Sequence, residues 1–481
     1  MGRQRNKRLF KRGERLKLDI IDLAYSGKGI AKIKTEDGEF VCFVENTLPG
    51  QKVLVTVHKC KKKHAECKLV DVIEKSDAEI EISYQTIPGA PFAQLPIEQQ
   101  EANKKKNCFE LFKRIGNIEN IESYFDEYIS SPSVWHYRNK MEYSFSAIRY
   151  DFDLKHDIDE FALGFKHRGT WWMVENLEKD SGLFDSVLEN AFPKLRQFFI
   201  QTGLDPWHPP KKEGFFRFLV ARKSYSNNQI LLNLVTTSND IEQFDMNAFI
   251  EVLKEILGER FTGLLHTIND SIGDRIQSSD GRFRLVYGES KIIENLLGLD
   301  FEISMQSFFQ TNPQCAEKLY QKVIDYVQDT EDKQEVIMDL FCGTGTIGQI
   351  IAHQITGAKV IGVDIVTEAI KDAKKNAKIN HIEGLKFFAA DVGKFLQEYP
   401  QYKGNISTIV LDPPRAGIAP KTLKKVAQLN SSRIVYVSCN PSTQARDTEY
   451  LLSQGYKLKK LSFADQFPHT SHVETIALFE K

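Results

Sequence analysis

Five short runs rich in β-forming residues open the chain: Leu16 to Asp22, Gly29 to Lys34, Glu39 to Val44, Gln51 to His58 and Glu66 to Ile73. Polar, glycine-bearing turns (SGKG, EDGE, LPG) separate them, a spacing that predicts a small β-barrel of the oligonucleotide-binding kind over residues 15–75. Lys59, Lys61, Lys62 and Lys63 fall between the last two runs, on a predicted hairpin loop. From Pro96 to Gly116 the pattern turns helical, with charged residues on one face and Phe109, Leu111, Phe112 and Ile115 toward the other. Between 130 and 300 strands and helices alternate, and WHYRNKMEYSFSAI and EFALGFKHRGTWWMV read as paired strands whose aromatics belong to the core. Beyond Glu335 the order becomes strand, helix, strand, helix. VIMDLF, KVIGVD, LKFFAAD, STIVLD and RIVYVS are the expected strands of a parallel sheet with helices on both faces. The fold class is thus α/β, with a basic arm (1–14), a barrel (15–75), a central α+β domain (76–300, including a helix near 98–116) and a catalytic domain (301–481).

A chain of 481 residues is long enough for two or three cores without disulfide support. No apolar run approaches the roughly 18–20 residues that cross a bilayer, and the start has no apolar signal segment, so no membrane partner is expected. Seven scattered cysteines suit a reducing, cytoplasmic setting. Net charge is −1, but residues 1–70 hold 17 Lys+Arg against 8 Asp+Glu, leaving an acidic remainder. A basic module on a neutral or acidic body fits a polyphosphate ligand; solvated surface lysines explain the same charge equally well.

In parallel sheets ligands sit beyond the carboxyl ends of the strands. The first strand runs into Asp339-Leu340-Phe341-Cys342-Gly343-Thr344-Gly345 and opens directly into a helix. A G-x-G turn alone serves several nucleotide folds. The following strands end at Asp364, Asp391 and Asp412. That acidic row favours a ligand with hydroxyls and a cationic centre over one rich in phosphates, and points to a Rossmann-like class I methyltransferase.

The fourth strand leads into DPPRAG and the fifth into Ser438-Cys439-Asn440-Pro441, on the same sheet edge. Arginine stands where amino-methylating enzymes carry a stacking aromatic. A thiolate there has a chemical motive: carbon 5 of uracil is too electron-poor to attack a methyl donor until a nucleophile adds at carbon 6. A base must then remove the carbon 5 proton, and FPHTSHVE supplies Glu474, preferred over its two histidines. Cys342 reads as a packing residue, and Cys60 and Cys67, without a second pair, make a zinc site improbable; no metal is expected.

DLFCGTG, LDPPRAG, SCNPSTQARD and FPHTSHVE, in that order, resemble the RNA uracil-5-methyltransferase family, which modifies 23S ribosomal RNA or the T-loop of transfer RNA. The N-terminal module resembles its TRAM domain. The resemblance covers nearly the whole chain, including LPGQKV and YRNKMEYSF, and implies S-adenosylmethionine as cofactor, Cys439 as nucleophile and Glu474 as proton acceptor. It places Gln310 of SFFQTN at cofactor and base, Phe341, Asp364 and Asp412 at the cofactor, and Asp391 near the adenine. The family fold also implies that the helix near Gln100 to Ile115 packs on the catalytic domain. Many ribosomal members hold an iron–sulfur cluster through C-x5-C-x2-C and a later cysteine. Here that stretch reads EISYQTIPGAPFAQL, with Lys179 about where the fourth ligand would be, so no cluster is expected. The expected partner is RNA, 23S rRNA before tRNA, bound by a monomer. A methyltransferase of small molecules or proteins and a non-catalytic RNA-binding or chaperone protein are the competing readings.

Overall fold

The computed structural model describes residues 9–36, 38–276, 282–328 and 336–481; the first eight residues of the basic arm lie outside them. Strands β1 (Arg15–Asp19), β2 (Asp22–Leu23), β3 (Gly29–Thr35), β4 (Gly38–Val44), β5 (Lys52–Cys60) and β6 (His64–Glu74) form one sheet in the order β1-β5-β6-β4-β3-β2. Only Ile20 and Ile21 separate β1, paired with β5, from β2, paired with β3, so one bent segment closes the barrel. Val53, Val55 and Val57 point inward at every second residue onto Phe40, Cys42 and Ala65, the period a half-buried strand requires. Lys61, Lys62 and Lys63 are exposed at the β5–β6 turn.

Helix α1 (Ile97–Arg114) and strand β7 (Phe125–Ile129) come next, and β7 pairs parallel with a strand near the C-terminus, so the chain visits the catalytic sheet before entering the central one. The buried residues of α1 are Gln100, Lys104, Cys108 and Phe112, one stripe at a spacing of four. The hydrophobic pattern puts Phe109, Leu111 and Ile115 inside; all three are only half-buried. The reason is polar. Lys104 Nζ reaches Asp465 Oδ1 at 2.6 Å and Phe467 O at 3.0 Å, while Gln100 Oε1 accepts from the His469 amide at 2.8 Å. With side chains 2% and 0% exposed, Lys104 and Asp465 are a buried pair whose single removal strands a charge. Lys104→Ala is expected to cost about 3–5 kcal/mol in urea unfolding, while the double change Lys104→Met with Asp465→Leu recovers most of it. A single variant as stable as the parent would refute this.

The central sheet runs β10-β9-β8-β11-β12-β13-β14. Its strands are β8 (Lys140–Asp151), β9 (His156–Lys166), β10 (Val174–Asn176), β11 (Phe216–Lys223), β12 (Ile230–Thr236), β13 (Phe261–Ile268) and β14 (Phe283–Gly288). The two predicted paired strands are β8 and β9, antiparallel, with Tyr143 and Phe145 in the core. Helices α2 (Ser186–Asn190), α3 (Phe192–Gln201) and α4 (Met246–Leu257) bury Leu188, Phe199 and Phe249 against this sheet. The hairpin β15 (Lys291–Leu296) and β16 (Leu299–Ser304) spans the expected boundary at 300.

Helix α5 (Pro313–Gln328) precedes the catalytic sheet. The sheet comprises β17 (Val336–Leu340), β18 (Lys359–Asp364), β19 (Leu385–Ala389), β20 (Thr408–Leu411), β21 (Arg433–Ser438), β22 (Lys457–Ala464) and β23 (Glu474–Glu480). Its order is β19-β18-β17-β20-β21-β23-β22-β7, parallel through β21, with β23 antiparallel to both of its neighbours. Alternate residues face opposite layers: Ile337, Val410, Val435 and Ile476 meet α5, while Met338, Ile409, Ile434 and Ala477 belong to the core that takes in Phe112 of α1. Intervening helices are α6 (Thr346–Gln354), α7 (Thr367–Ile379), α8 (Val392–Glu398), α9 (Pro420–Gln428) and α10 (Pro441–Ser453). Among the described residues no helix is long and apolar enough to cross a membrane.

Candidate active site

The site is assembled where four parallel strands and one antiparallel strand end together. Leu340 lies beside Leu411, and Leu411 beside Tyr436, so the loops after β17, β20 and β21 leave the sheet side by side. The antiparallel register runs as far as Ser438↔Thr475, the last pair of β21 with β23, so Cys439 follows directly on one side and Glu474 opens β23 on the other, and the two lie within electrostatic reach. Cys439 is half-buried and Glu474 is 4% exposed, so the sulfur is reachable while the carboxyl is enclosed.

Phe341 adopts a left-handed conformation, φ +65, and its amide donates to Val363 O at 2.9 Å. Gly345 begins α6 at φ +69, where a Cβ would lie 2.4 Å from the Phe387 ring, so only glycine fits. Asp364 accepts from the Gly343 amide (3.0 Å) and the Val366 amide (2.8 Å), which fixes its carboxylate beside the glycine turn. Cys342 packs as expected: its Sγ would be 3.1 Å from a Cβ placed at Gly362.

Asp339, within the DLFCGTG motif, accepts from the Gly348 amide at 2.9 Å through Oδ2, while buried Oδ1 has no partner. Burial, with Asp412 and Asp364 nearby, pushes Asp339 up to about 7; burial alone pushes Asp412 up to about 7. Burial followed by Asp412 pushes Glu474 up to about 8, and Arg415 opposes this. The Cys439 thiol is pushed up to about 11 by burial, then by Glu474 and Asp412. Burial raises each of these carboxyl groups, Asp412 adds to the rise at Asp339 and Glu474, and Arg415 offsets only part of it at Glu474; a ligand with a positive centre and hydroxyls fits that donor set, and a phosphate does not. Gln310 joins the group through Tyr320, which hydrogen-bonds it and lies within electrostatic reach of Asp412 and Glu474. Asp391 stands at the margin: it is exposed and caps α8, accepting from the Lys394 amide at 2.9 Å.

The loop from 465 to 474 is held from three sides. Trp135 stacks on His469 at 3.8 Å, Tyr137 Oη donates to Pro468 O at 3.0 Å, and Gln466 Nε2 donates to Asn312 O at 3.0 Å. His469 is a buried latch at φ +65, pushed down to about 4 by burial. His472 Nδ1 is 2.9 Å from Arg415 Nη2. The barrel contributes as well: Tyr25 Oη donates to Asn440 Oδ1 at 3.2 Å, one residue beyond Cys439, and Asn440 Nδ2 donates to Arg415 O at 2.9 Å. Neither Tyr25 nor the Lys104–Asp465 pair carries a signal in sequence, since the partners are 415 and 361 positions apart. Asp339 was visible inside its motif, but not its missing partner.

Residues 289–481 match the family model described as tRNA (Uracil-5-)-methyltransferase, and residues 9–70 match the TRAM domain. A Clostridium tetani protein described as an RNA methyltransferase is 36% identical over 97% of this chain and 98% of its own. One from Caldanaerobacter subterraneus, similarly described, is 35% identical over 98% and 99%. The solved structure of Pyrococcus abyssi tRNA (uracil-54, C5)-methyltransferase with S-adenosyl-L-homocysteine is 26% identical, with TM-score 0.71, over 96% of this chain and all of that one.

Proposed function

Because this chain belongs to the RNA (uracil-5-)-methyltransferase family and is an S-adenosylmethionine-dependent enzyme, we propose that it methylates carbon 5 of one uridine in 23S rRNA, acting as a monomer through Cys439 and Glu474. The observation that carries this reading is that Cys439 and Glu474 flank the last pair of β21 and β23 within electrostatic reach of each other, next to carboxylates suited to a cation. The cofactor supplies the methyl group and a sulfonium charge, and Gln310, Phe341, Asp364 and Asp412 would hold it, with Asp391 nearest its outer end. The Cys439 thiolate adds to carbon 6, and its electron pair displaces ring electrons that make carbon 5 nucleophilic. Once carbon 5 is methylated, Glu474 accepts the carbon 5 proton, the ring double bond reforms and the thiolate leaves. Arg415, whose charge opposes the rise at both groups, favours their ionised forms.

No iron–sulfur cluster is part of this reading. The stretch 81–95 is joined to 176–180 by hydrogen bonds: Gln85 Nε2 to Asn176 O (2.8 Å), the Glu178 amide to Gln85 Oε1 (2.8 Å), and Lys179 Nζ to Ser83 O (2.7 Å). Stoichiometric iron in purified protein would contradict it.

A second substrate, a uridine in the T-loop of tRNA, is favoured by one finding. The P. abyssi protein, whose name gives a tRNA position, aligns over 96% of this chain, which leaves too little uncovered to omit the barrel. The barrel therefore does not discriminate between RNAs. Mass spectrometry of 5-methyluridine in rRNA and tRNA from cells with and without the gene decides between them: loss from the rRNA pool supports the first reading, and loss from tRNA alone replaces it. No loss from either pool rejects both.

The raised carboxyl groups also set a pH dependence. In the unfolded chain they ionise near about 4, so between that pH and about 8 the folded protein holds protons the unfolded chain has released, and stability without ligand falls as pH rises through this window. A sulfonium should offset that loss. In thermal unfolding, the extra stabilisation by S-adenosylmethionine over S-adenosylhomocysteine, whose sulfur is neutral, is expected to grow from about pH 6 to about pH 9. A constant difference would show that these carboxylates do not face the sulfur.

A further inference from the structure

A cavity of about 490 Å3 opens between the start of β8 and the loop carrying Gln310, within the size range of ligand sites (roughly 300–1,000 Å3). Arg138, Lys140 and Arg222 line it against one carboxylate, Glu142. Arg222 is 2% exposed; its Nη2 donates to Ser307 O at 2.8 Å, but Nε and Nη1 meet no acceptor among the described residues. Native proteins seldom bury a guanidinium with two nitrogens unpaired, because the charge has given up its hydration without recovering a partner. Glu142 lies within electrostatic reach of Arg222 but is half-exposed and already paired with Lys140 Nζ at 2.8 Å. Burial pushes Arg222 down to about 10, which leaves it charged at neutral pH. Phe308, 70% exposed, is a large aromatic in the lining with no packing reason to face water, and Phe165 lines the cavity as well.

The cavity adjoins the active site. Asn139 Nδ2 donates to Gln310 O at 2.9 Å, its amide donates to Thr311 O at 2.8 Å, and Arg138 lies within electrostatic reach of His472, the partner of Arg415. Taking a uridine in RNA as the substrate, we propose that this cavity binds the nucleotide adjoining the target, its base stacked on Phe308 and its phosphate facing Arg138, Lys140 and Arg222. Aromatic stacking with unspent positive charge is the chemistry that holds single-stranded RNA. A nucleotide seated here would keep the extruded uridine from returning to its stack.

Binding of a fluorescein-labelled oligouridylate by anisotropy, across salt concentrations, tests this without turnover. Failure here leaves the uracil chemistry standing, and failure to trap 5-fluorouridine RNA leaves this result interpretable. Arg222→Met is expected to weaken binding about tenfold and to flatten the slope of log affinity against log salt by about 0.7 for each phosphate no longer neutralised, with Arg222→Lys restoring the slope. Phe308→Ala, at an exposed site, is expected to weaken binding about tenfold with the slope unchanged. S-adenosylmethionine affinity stays at the parent value in both. If Arg222→Met lowers the melting temperature while affinity and slope stay at the parent values, the arginine is structural and the proposal fails. Should that variant not fold, parental RNA affinity in Phe308→Ala and Arg138→Ala overturns it equally.

Discussion

Cys439→Ala is expected to lower methyl transfer by at least about 10^4-fold and to abolish a gel-stable adduct with 5-fluorouridine RNA that the parent enzyme forms. Fluorine traps the parent because it cannot leave as the proton does. The effect is expected to be large because, among the described residues, no other cysteine near the site is placed to substitute for it. Cys342 is packed over Gly362, and Cys315 and Cys108 are buried away from solvent. The cofactor should bind the variant normally, since Phe341, Asp364 and Asp412 stand at the ends of strands other than β21, which Cys439 follows. Measured together, the three readouts separate loss of chemistry from loss of fold. An adduct persisting in Cys439→Ala would mean that the thiol is a bystander.

Glu474→Gln is expected to stall the enzyme later, after the methyl group has arrived. Turnover should drop about 10^2- to 10^4-fold, and a covalent protein–RNA species carrying labelled methyl should accumulate with ordinary uridine RNA, where the parent shows none. The substitution keeps the shape of a side chain that is 4% exposed, and it replaces a carboxyl that burial already pushes up to about 8, so the fold should tolerate it. Turnover at the parental rate would move the base elsewhere, with His472 the next group to test.

Strands β17 to β21 of the catalytic sheet, the barrel runs and the long helix were legible because each rests on a local rule: apolar runs closed by turn residues, or a period near 3.6. Cys439 and Glu474 could be singled out for a similar reason, each standing beside a strand end within a short motif. The inner face of α1 was not legible. Hydrophobicity chooses Phe109 and Leu111, yet Lys104 and Gln100 are buried, because what they meet is the polar loop from 465 to 474 and not an apolar surface.

By itself, the sequence determined the α/β order and the acidic row at the strand ends, and it pointed to Cys439 and Glu474 beside two such ends, since these follow from backbone periodicity and from residue types close along the chain. Only the tertiary structure decided that Tyr25 of the barrel reaches Asn440, that β7 completes a sheet built from the other end of the chain, and that Arg222 lies buried with two nitrogens unpaired beside a cavity. Those features depend on how distant surfaces dock, and docking is fixed by shape and charge summed over whole faces, which no short window of residues contains.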